Sequence, residues 1–426
     1  MSGKELKILT NRFDKIDPAS IDDYINTGGY KALKKALEMP REEIIKQVKA
    51  SNLRGRGGAA FPTGIKLESV YKEREAQKYL VCNADEGEPG NFKDRFLIEN
   101  DPHQVIEGMI ICAFAVGSSK GYIYVRGEYD KPISLLKTAI EQAKAKNFLG
   151  GGILGTSFNF ELEVRTGAGA YVCGEEFALI ESIEGKSGKP RFKPPFPTMV
   201  GVFNKPTLLN NVETYSNIPY IINEGGEKFA AIGTPSSSGT RLISLSGNVN
   251  NKGLFEVPFG VSIREIIDLL GKGIPNGRKI KMVQLAGASG PIIPENMLDL
   301  RIDYKEMADN NLSLGSGAII VIDDRFDVLD IVYRIAKFFE HESCGKCTPC
   351  RNGNKQLVKI IKKFVTKTAT EKDLSRLDIL INVMTQASLC GLGQAAPTAI
   401  ATTMKYFNED YLGGICENEK AVAIGG

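Results

Sequence analysis

The sequence predicts an α/β domain with a mostly parallel sheet, followed by a β-grasp-like (ubiquitin-like) domain and a C-terminal helical bundle. Strand-like and helix-like segments alternate up to about residue 238, which is the pattern of parallel α/β sheets. Two strand-like segments, a helix and two more strand-like segments fill 240–325, and apolar residues recur at helical spacing after 327. We therefore expect units at 1–238, 239–326 and 327–426.

The first unit is expected to open with a polar lead-in and helices, the last of them within 41–53. A strand follows in KYLVCNAD, then a helix at about 102–116, a strand in GYIYVRGEY and a helix near 132–146. An alternating strand at 158–165 leads through glycines into a helix that begins at Glu175 and Glu176. The segment GTPSSSGT (233–240) has the composition of a linker.

The second unit is predicted from TRLISLSGNV, GLFEVPFG, KIKMVQLAG and AIIVID as strands, with one helix between the second and third. Ser262 and Glu265 have the spacing of a capping box and mark the start of that helix. The third unit begins with DVLDIVYRIAKFFEHESC, whose apolar residues recur three and four apart, and two or three further helices are expected after it.

Composition narrows the range of partners. Of 426 residues, 42% are hydrophobic and 25% are charged, and the net charge is only +3. No long basic run is present, so neither nucleic acid nor an anionic membrane surface is an expected partner. The N-terminus lacks the apolar core of a signal peptide, and the longest apolar run, at 109–116, is too short to span a membrane. We expect a cytoplasmic protein.

Three cysteines crowd into one loop, at Cys344, Cys347 and Cys350 in ESCGKCTPCRNGN. This spacing lets three thiolates converge on one 4Fe-4S cluster, and the fourth ligand must come from elsewhere. Cys390 is favoured because the glycines after it permit close backbone approach, and Cys416 is the alternative. A zinc site of four thiolates is the other interpretation, although zinc ligands usually come as two Cys-x-x-Cys pairs.

Two glycine-rich loops are candidates for binding an anion or a flavin. GRGGAA (55–60) is a weak motif by itself, but Phe61 offers a stacking face and Lys66 a positive charge beside it. TGAGAYVCGEE follows a strand and opens a helix, where acids such as Glu175 and Glu176 are also favoured by the helix dipole alone. An acid at that place repels a 2′-phosphate, which favours NAD over NADP.

Polar side chains concentrate in two further segments, the first of them at the end of the predicted strand in KYLVCNAD. NADEGEP (83–89) contains Asn83, Asp85, Glu86 and Glu88 where open α/β sheets bind ligands, although an isolated loop of this kind is more often simply solvated. LLNNVETYSNIP contributes neutral hydrogen-bonding groups for a flavin or its ribityl chain, and these residues are otherwise interpreted as a helix cap and a turn. They are Asn210, Asn211 and Thr214.

Taken together, RGRGGAAFPTGIK, NADEGEPGNFKDR, GAGAYVCGEE with ALIESIEGK, and ESCGKCTPCRNG with LCGLG resemble the NADH-binding flavoprotein subunit of respiratory complex I. The resemblance spans nearly the whole chain. It implies an FMN-binding α/β domain, a ubiquitin-like domain and a helical bundle that carries a 4Fe-4S cluster.

The resemblance also implies individual contacts. FMN is expected against Gly55, Arg56, Gly57, Lys66, Asn83, Asp85, Glu86, Gly174, Glu175, Asn210, Asn211 and Thr214. NADH is expected near Phe61 and Phe196, which stack on its adenine, with Glu88 and Glu176 near its polar groups, and Glu86 and Glu88 are positioning residues. The cluster ligands implied are Cys344, Cys347, Cys350 and Cys390. Phe177 and Ser69 depart from the family pattern in the nucleotide pocket.

The implied function is hydride transfer from NADH to FMN, followed by single-electron transfer to the 4Fe-4S cluster, with no side-chain base required. The implied partners are a thioredoxin-like 2Fe-2S subunit and a larger multi-cluster iron–sulfur subunit, and membrane association is expected only through the complex, on its cytoplasmic side. Two alternatives stay open at this point. One is the diaphorase subunit of an NAD-linked hydrogenase or formate dehydrogenase, and the other is a zinc-stapled binding scaffold.

Overall fold

The first sheet has four parallel strands in the order β3-β2-β1-β4. In the structure, a computed structural model that describes residues 5–416, the strands are β1 (Tyr79–Ala84), β2 (Lys120–Arg126), β3 (Glu161–Gly167) and β4 (Thr207–Asn211). Leu80 and Cys82 of β1 belong to one apolar core, and Val81 belongs to another. The sheet is therefore covered on both faces, as the α/β prediction requires.

Eleven helices accompany this sheet in the described part of the chain. They are α1 (Ile21–Asn26), α2 (Lys31–Leu37), α3 (Arg41–Ala50), α4 (Thr63–Lys72), α5 (Lys93–Asn100), α6 (Pro102–Val116), α7 (Asp130–Ala145), α8 (Glu176–Ile183), α9 (Val212–Ser216), α10 (Ile218–Glu224) and α11 (Gly226–Ala230). The predicted helix at 102–116 and the predicted start of a helix at Glu175 and Glu176 are both confirmed, with Glu175 as the N-cap of α8.

Helix α6 is the central helix of the first unit, and every side chain in it except Phe114 is buried. Local sequence fixes both of its ends. The Asp101 side chain accepts a hydrogen bond from the Gln104 amide, Pro102 occupies the first turn, and Gly117 ends the helix with a φ of +75°. At Gly108 the helix touches α9 so closely that an added Cβ would lie 2.0 Å from the Tyr215 carbonyl oxygen.

The second sheet has five strands in the order β10-β9-β11-β7-β8. Strands β7 and β11 are parallel, and the other neighbours are antiparallel. A separate two-stranded hairpin, β5 (Gly233–Thr234) and β6 (Ser237–Ser238), precedes this sheet. The elements of the sheet and its helices are β7 (Thr240–Gly247), β8 (Gly253–Pro258), α12 (Ile263–Glu265), β9 (Ile280–Leu285), β10 (Ile292–Ile293), α13 (Tyr304–Asp309) and β11 (Ala318–Asp323). Helix α12 begins with the predicted capping box at Ser262 and continues as a π-helical turn over Ile266–Leu270.

The prediction of a linker at 233–240 is wrong. These residues form the β5–β6 hairpin, and Ser237 and Ser238 are buried. Ser236 Oγ donates to Asp303 Oδ2 at 2.6 Å, and Ser237 Oγ accepts from the Tyr304 amide at 2.8 Å. Serine hydroxyls that a linker would expose to water are here the hydrogen-bond partners of the first turn of α13.

The C-terminal part of the described chain is helical, as predicted, with more helices than expected. They are α14 (Val328–Glu342), α15 (Thr348–Val365), α16 (Glu371–Ala387), α17 (Gly391–Ala395), α18 (Thr398–Tyr406) and α19 (Asn408–Gly413). Their apolar faces share one core with α8 and with Val81, Tyr122 and Tyr124 of the first sheet. The bundle is thus packed against the face of that sheet opposite to α6. None of the helices within residues 5–416 has the length and apolar character needed to cross a membrane.

The close approach at Gly108 gives a first testable prediction. Gly108→Ala should lower the free energy of unfolding by about 2 kcal/mol, because the new methyl group overlaps the Tyr215 carbonyl and forces α6 away from α9. Gly413→Ala is the matched control, since an added Cβ there meets nothing within 4 Å. Thermal unfolding of both variants measures the difference, and equal melting temperatures would contradict the packing described.

Candidate active site

A cavity of about 440 Å³ lies at the carboxyl ends of β1 and β4. Because all four strands are parallel, the loops that follow them converge on this one edge of the sheet. The predicted site residues that line the cavity are Gly55, Gly57, Phe61, Lys66, Asn83, Asp85, Glu86, Glu88, Gly174, Glu175, Glu176, Asn210, Asn211 and Thr214. Segments far apart in sequence are therefore brought together at the place where the sequence analysis expected a ligand.

The first glycine loop is fixed to β4 and α9 by hydrogen bonds. The Arg56 amide donates to Thr214 Oγ1 at 2.9 Å, and Lys66 Nζ donates to the Leu209 carbonyl at 2.9 Å. At Gly57 an added Cβ would lie 3.1 Å from Asn211 Cβ, so a larger residue would crowd that asparagine. Burial lowers the pKa of Lys66, while Glu176 opposes this effect. The glycine loop and the first turn of α4, which carries the Lys66 ammonium group, therefore form one wall of the cavity.

Two predicted contact residues do not line the cavity. The Arg56 guanidinium points away from it, donates to the Ser238 carbonyl at 2.8 Å and lies 4.8 Å from the centre of the Phe259 ring. Arg56 thus joins the glycine loop to the β5–β6 hairpin. Phe196 is 51% exposed and lies outside the lining residues.

The acidic loop after β1 holds carboxylates in a buried setting. Burial raises the pKa of Asp85 to about 7, although Arg126, 3.6 Å away, opposes the shift. Burial also raises the pKa of Glu86 to about 8, with the charge of Asp94 adding to it. Both carboxyl groups are therefore protonated more readily than a solvated acid. The two oxygens of Glu86 accept from the Asp94 and Arg95 amides at 3.0 Å.

Glu88 is held by residues for which the sequence analysis assigned no role. Its Oε2 accepts from Tyr171 Oη at 2.6 Å and from Ser289 Oγ at 2.8 Å, and its Oε1 accepts from the Ser289 amide at 2.9 Å. Burial raises the pKa of Glu88, and these three donors counter that rise. Tyr171 lies in the second glycine motif, but Ser289 is distant in sequence, so no local pattern predicted their meeting.

A buried cluster of ionic groups supports the cavity from behind. Lys93 Nζ lies 2.7 Å from Asp94 Oδ1 and 3.0 Å from Glu213 Oε2, and it donates to Asn211 Oδ1 at 2.9 Å. Asn211 Nδ2 donates in turn to Asp94 Oδ2 at 2.6 Å. The predicted site residue Asn211 is thus oriented by charged neighbours, and sequence reasoning missed Lys93 and Asp94 although both lie in NADEGEPGNFKDR.

The two glutamates of the second glycine motif have different local roles. Glu175 Oε2 accepts from the Phe177 and Ala178 amides at 2.9 Å and caps α8, which is the structural interpretation of that acid. Glu175 Oε1 and Glu176 Oε1 both lie near Lys193 Nζ, at 2.9 Å and 2.6 Å. Lys193 also lines the cavity, and the sequence analysis did not predict it.

Several buried polar atoms at the cavity have no hydrogen-bond partner within residues 5–416. Among them are Asp85 Oδ1, Asn210 Nδ2 and Ser316 Oγ. Buried polar groups normally pair, so these atoms are available to a bound molecule. Neutral amide and hydroxyl groups, glycine backbone and one buried lysine suit the polar ring edge, sugar-alcohol chain and phosphate of FMN.

The four predicted cluster cysteines are neighbours. Burial raises the pKa of Cys350 to about 11, and nearby Cys347, Cys390 and Cys344 raise it further. Burial also raises the pKa of Cys390, where Glu175 and Cys344 add to the effect and the Leu392 and Gly393 amides oppose it. In the described part of the chain, no three His, Cys, Asp or Glu side chains form a site for a single metal ion.

Hydrogen-bond donors are aimed at two of these sulfur atoms. Asn354 Nδ2 lies 3.3 Å from Cys350 Sγ, and the Leu389 amide lies 3.5 Å from Cys347 Sγ. Such donors stabilise thiolate ligands of iron–sulfur clusters. Three thiols come from one tight loop and the fourth from the start of a helix. Together with the hydrogen-bond donors to sulfur, this arrangement suits a 4Fe-4S cluster.

The cysteine region and the cavity share a wall. Cys390 is the N-cap residue of α17, and Gly391, Leu392 and Ala395 of the same short helix line the cavity. One helix therefore carries a predicted cluster ligand at its start and contacts the cavity with its first turn.

Comparison with known proteins gives a family match both for the part of the chain that forms the cavity and for the cysteine region. Residues 48–220 match the Nuo51 FMN-binding domain, and residues 330–413 match the NADH-ubiquinone oxidoreductase-F iron–sulfur binding region. An NADH-quinone oxidoreductase F subunit of Rhizobium meliloti is 44% identical over 411 residues, which are 96% of this chain and 98% of that protein. The chain belongs to the family of NADH-quinone oxidoreductase F subunits. Membership in this family confirms FMN and a 4Fe-4S cluster as the predicted cofactors.

Hydrogenase proteins are also similar to this chain. The NADP-reducing hydrogenase subunit HndC of Solidesulfovibrio fructosivorans is 47% identical over 412 residues, which are 96% of this chain and 83% of that protein. A solved NAD⁺-reducing NiFe hydrogenase in the H₂-reduced state superposes with a TM-score of 0.85 at 35% identity, over 97% of this chain and 67% of that chain.

The raised pKa of Asp85 gives a prediction for pH dependence. A carboxyl group whose pKa is raised to about 7 on folding stabilises the folded chain at low pH, loses that contribution between its ordinary pKa and pH 7, and changes little above pH 7. Asp85→Asn cannot ionise, so its unfolding free energy, followed by thermal melting, should rise relative to that of the wild type between about pH 4.5 and pH 7, by up to about 1.4 kcal/mol per pH unit. A difference that stays constant over this range would show that Asp85 is ionised throughout.

Proposed function

We propose that this chain oxidises NADH by hydride transfer to FMN in the cavity and passes electrons singly to a 4Fe-4S cluster held by Cys344, Cys347, Cys350 and Cys390. The observation that supports this proposal is helix α17, which begins at Cys390 and also lines the cavity. FMN, when bound, supplies the hydride-accepting chemistry, and the protein supplies position and electrostatics.

The residues proposed to hold FMN divide by chemistry. Gly55, Gly57 and Gly174 allow close approach of backbone, and Lys66 supplies a positive charge for the phosphate. Asn83, Asn210, Asn211 and Thr214 offer hydrogen bonds to the ring and the sugar-alcohol chain. Burial raises the pKa of Asp85 and of Glu86, which lessens the negative charge that these two groups place beside an anionic ligand.

The residues proposed to hold NADH line the outer part of the site. Phe61 offers a ring face for the adenine, and Lys66 lies 6.0 Å from that ring. Glu88 is kept in one orientation by Tyr171 and Ser289, so with Glu86 it is suited to position the nicotinamide end. Glu176 is proposed near the ribose hydroxyls, and Phe196 remains a predicted adenine contact.

The finer structural predictions are part of the same proposal. We assign 1–238 to the FMN and NADH domain, 239–326 to a β-grasp domain and 327–426 to the cluster-bearing bundle. The five-stranded mixed sheet with one helix between β8 and β9 supports the β-grasp assignment. Residues 1–4 and 417–426 lie outside the described residues.

The proposed partners are a thioredoxin-like 2Fe-2S subunit and a larger multi-cluster iron–sulfur subunit, in an assembly on the cytoplasmic side of a membrane complex. A hydride carries two electrons, whereas a 4Fe-4S cluster normally transfers one at a time, so a second carrier near the flavin is required. Within the described chain, the remaining cysteines Cys82, Cys112, Cys173 and Cys416 are free thiols dispersed along the sequence. Contact with nucleic acid is not part of the proposal.

A second candidate is the diaphorase subunit of a hydrogenase, in which the same cavity and cluster accept electrons from a hydrogenase partner. The relative named NADP-reducing hydrogenase subunit, at 47% identity, favours this possibility. Both candidates use the same chemistry and differ in the partner. No similarity to a known protein supports the zinc-stapled scaffold, because the two matching family models describe an FMN-binding domain and an iron–sulfur binding region.

Anaerobic titration of the purified protein with NADH tests the proposal. We expect absorption of bound flavin and of an iron–sulfur centre, both bleached by stoichiometric NADH, and NADH oxidation with ferricyanide as acceptor. Purification of the tagged chain from its own organism distinguishes the candidates, since a quinone-reducing assembly supports the first and a hydrogenase supports the second. A colourless protein that binds zinc would refute both.

The assignment of the fourth ligand is tested by Cys390→Ala. This variant should lose the electron paramagnetic resonance signal of the reduced cluster, because only three thiolates remain, while NADH oxidation by ferricyanide continues at the flavin. Cys416→Ala is the matched control and should retain the signal. The opposite result, with loss only in Cys416→Ala, would move the fourth ligand to Cys416.

A further inference from the structure

Phe177 lies directly behind the rim of the cavity, at the second position of α8, and is only 1% exposed. Two cations of the neighbouring segment 190–193 lie over its ring. The guanidinium carbon of Arg191 is 5.4 Å from the ring centre, and Lys193 Nζ is 5.6 Å from it. Both distances are within the range in which the negative face of an aromatic ring attracts a cation.

Arg191 anchors this segment to the helix that carries Phe177. Its Nη2 donates to Glu184 Oε2 at 3.0 Å, and its Nε pairs with Glu181. At the other side of the segment, Lys346 Nζ donates to the Pro190 carbonyl at 2.5 Å. These bonds leave Lys193 as the cation of the segment that reaches the cavity.

Lys193 balances the charge of the rim. Its Nζ lies 2.9 Å from Glu175 Oε1 and 2.6 Å from Glu176 Oε1, and all three side chains line the cavity. Burial lowers the pKa of Lys193, but Glu176 and Glu175 raise it by more, so the ammonium stays charged. Without Lys193 in this place, two carboxylates would face the phosphates of an entering dinucleotide with less compensation.

We propose that Phe177 is a positioning and specificity-determining residue for the nucleotide, because its ring keeps the Lys193 ammonium beside the carboxylates of Glu175 and Glu176. This inference rests on the proposed oxidation of NADH. Phe177 touches neither the cavity nor the nucleotide, and it acts through Lys193. The effect is largest for a nucleotide with an added 2′-phosphate, since that group brings further negative charge to the rim.

The test compares Phe177→Leu with the wild type in NADH and NADPH oxidation by ferricyanide. Leucine fills much of the space but has no aromatic face, so Lys193 is held less firmly. We expect the KM for NADH to rise about threefold with kcat unchanged, as for a loss of uniform binding. The ratio of kcat/KM for NADPH to that for NADH should fall about threefold.

Ionic strength gives a second readout. In Phe177→Leu the KM for NADH should fall as salt is raised from about 20 to 300 mM, because salt screens the repulsion between the glutamates and the phosphates. In the wild type, where Lys193 compensates that repulsion, the KM should stay level or rise. Glu176→Gln should shift the NADPH/NADH ratio in the opposite direction to Phe177→Leu.

Controls separate this role from a structural one. Phe177→Tyr retains the aromatic face. It should restore the wild-type KM for NADH and the wild-type ratio of kcat/KM for NADPH to that for NADH. Phe229→Leu makes the same change at a fully buried ring of the first core, away from the cavity, and should lower stability alone. If Phe177→Leu loses FMN on purification, Phe177→Met provides the same measurement with a more adaptable side chain.

The outcomes are distinct. An unchanged nucleotide ratio and an unchanged salt response in an FMN-replete Phe177→Leu or Phe177→Met protein would overturn the inference while the proposed function stands. Absence of FMN binding and NADH oxidation in the wild-type protein would instead refute the proposed function, and the role of Phe177 with it.

Discussion

The site depends on one buried carboxylate, that of Glu213. It lies 3.0 Å from Lys93 Nζ and 3.9 Å from Arg56 Nε, and its Oε1 accepts from the Leu242 amide at 3.1 Å. Burial raises its pKa, but Lys93, Arg241 and Arg56 outweigh that effect, so the group stays ionised. Removing one partner of such a buried set leaves an uncompensated charge, which costs about 3–5 kcal/mol. The glycine loop, α5, α9 and β7 are therefore held in one mutual arrangement.

This arrangement determines which polar groups the surface of the cavity presents. Parallel strands direct their carboxyl ends to one edge, where the loops carry the polar groups and the glycines. The buried ion pairs of Lys93 with Asp94 and Glu213 lie behind that edge. The cavity surface itself carries amides, hydroxyls, carboxyl groups of raised pKa and the ion pairs of Lys193 with Glu175 and Glu176. An anionic dinucleotide and an anionic flavin phosphate would be repelled by a wall of ionised acids. Raised pKa values at Asp85 and Glu86 reduce that repulsion near neutral pH.

Local sequence patterns predicted seven of the strands, the helix at 102–116 and most of the cavity lining, but not β4, β10 or the β5–β6 hairpin. They did not predict Lys193 or Ser289, which meet their partners only in the folded chain. The same limit explains Arg56, whose side chain donates to a carbonyl of the β5–β6 hairpin. It also explains the hairpin at 233–240, where serines that would be solvated in isolation find Asp303.

Glu175 connects the two halves of the site. One of its oxygens caps α8, the other lies beside Lys193 at the nucleotide rim, and its charge contributes to the raised pKa of Cys390. Cys390 begins α17, whose first turn returns to the cavity wall. The cap of one helix and the start of another therefore set the distance between the cavity and the thiols. Because each of these elements contacts both regions, a change in either one alters the nucleotide rim and the cysteine region together.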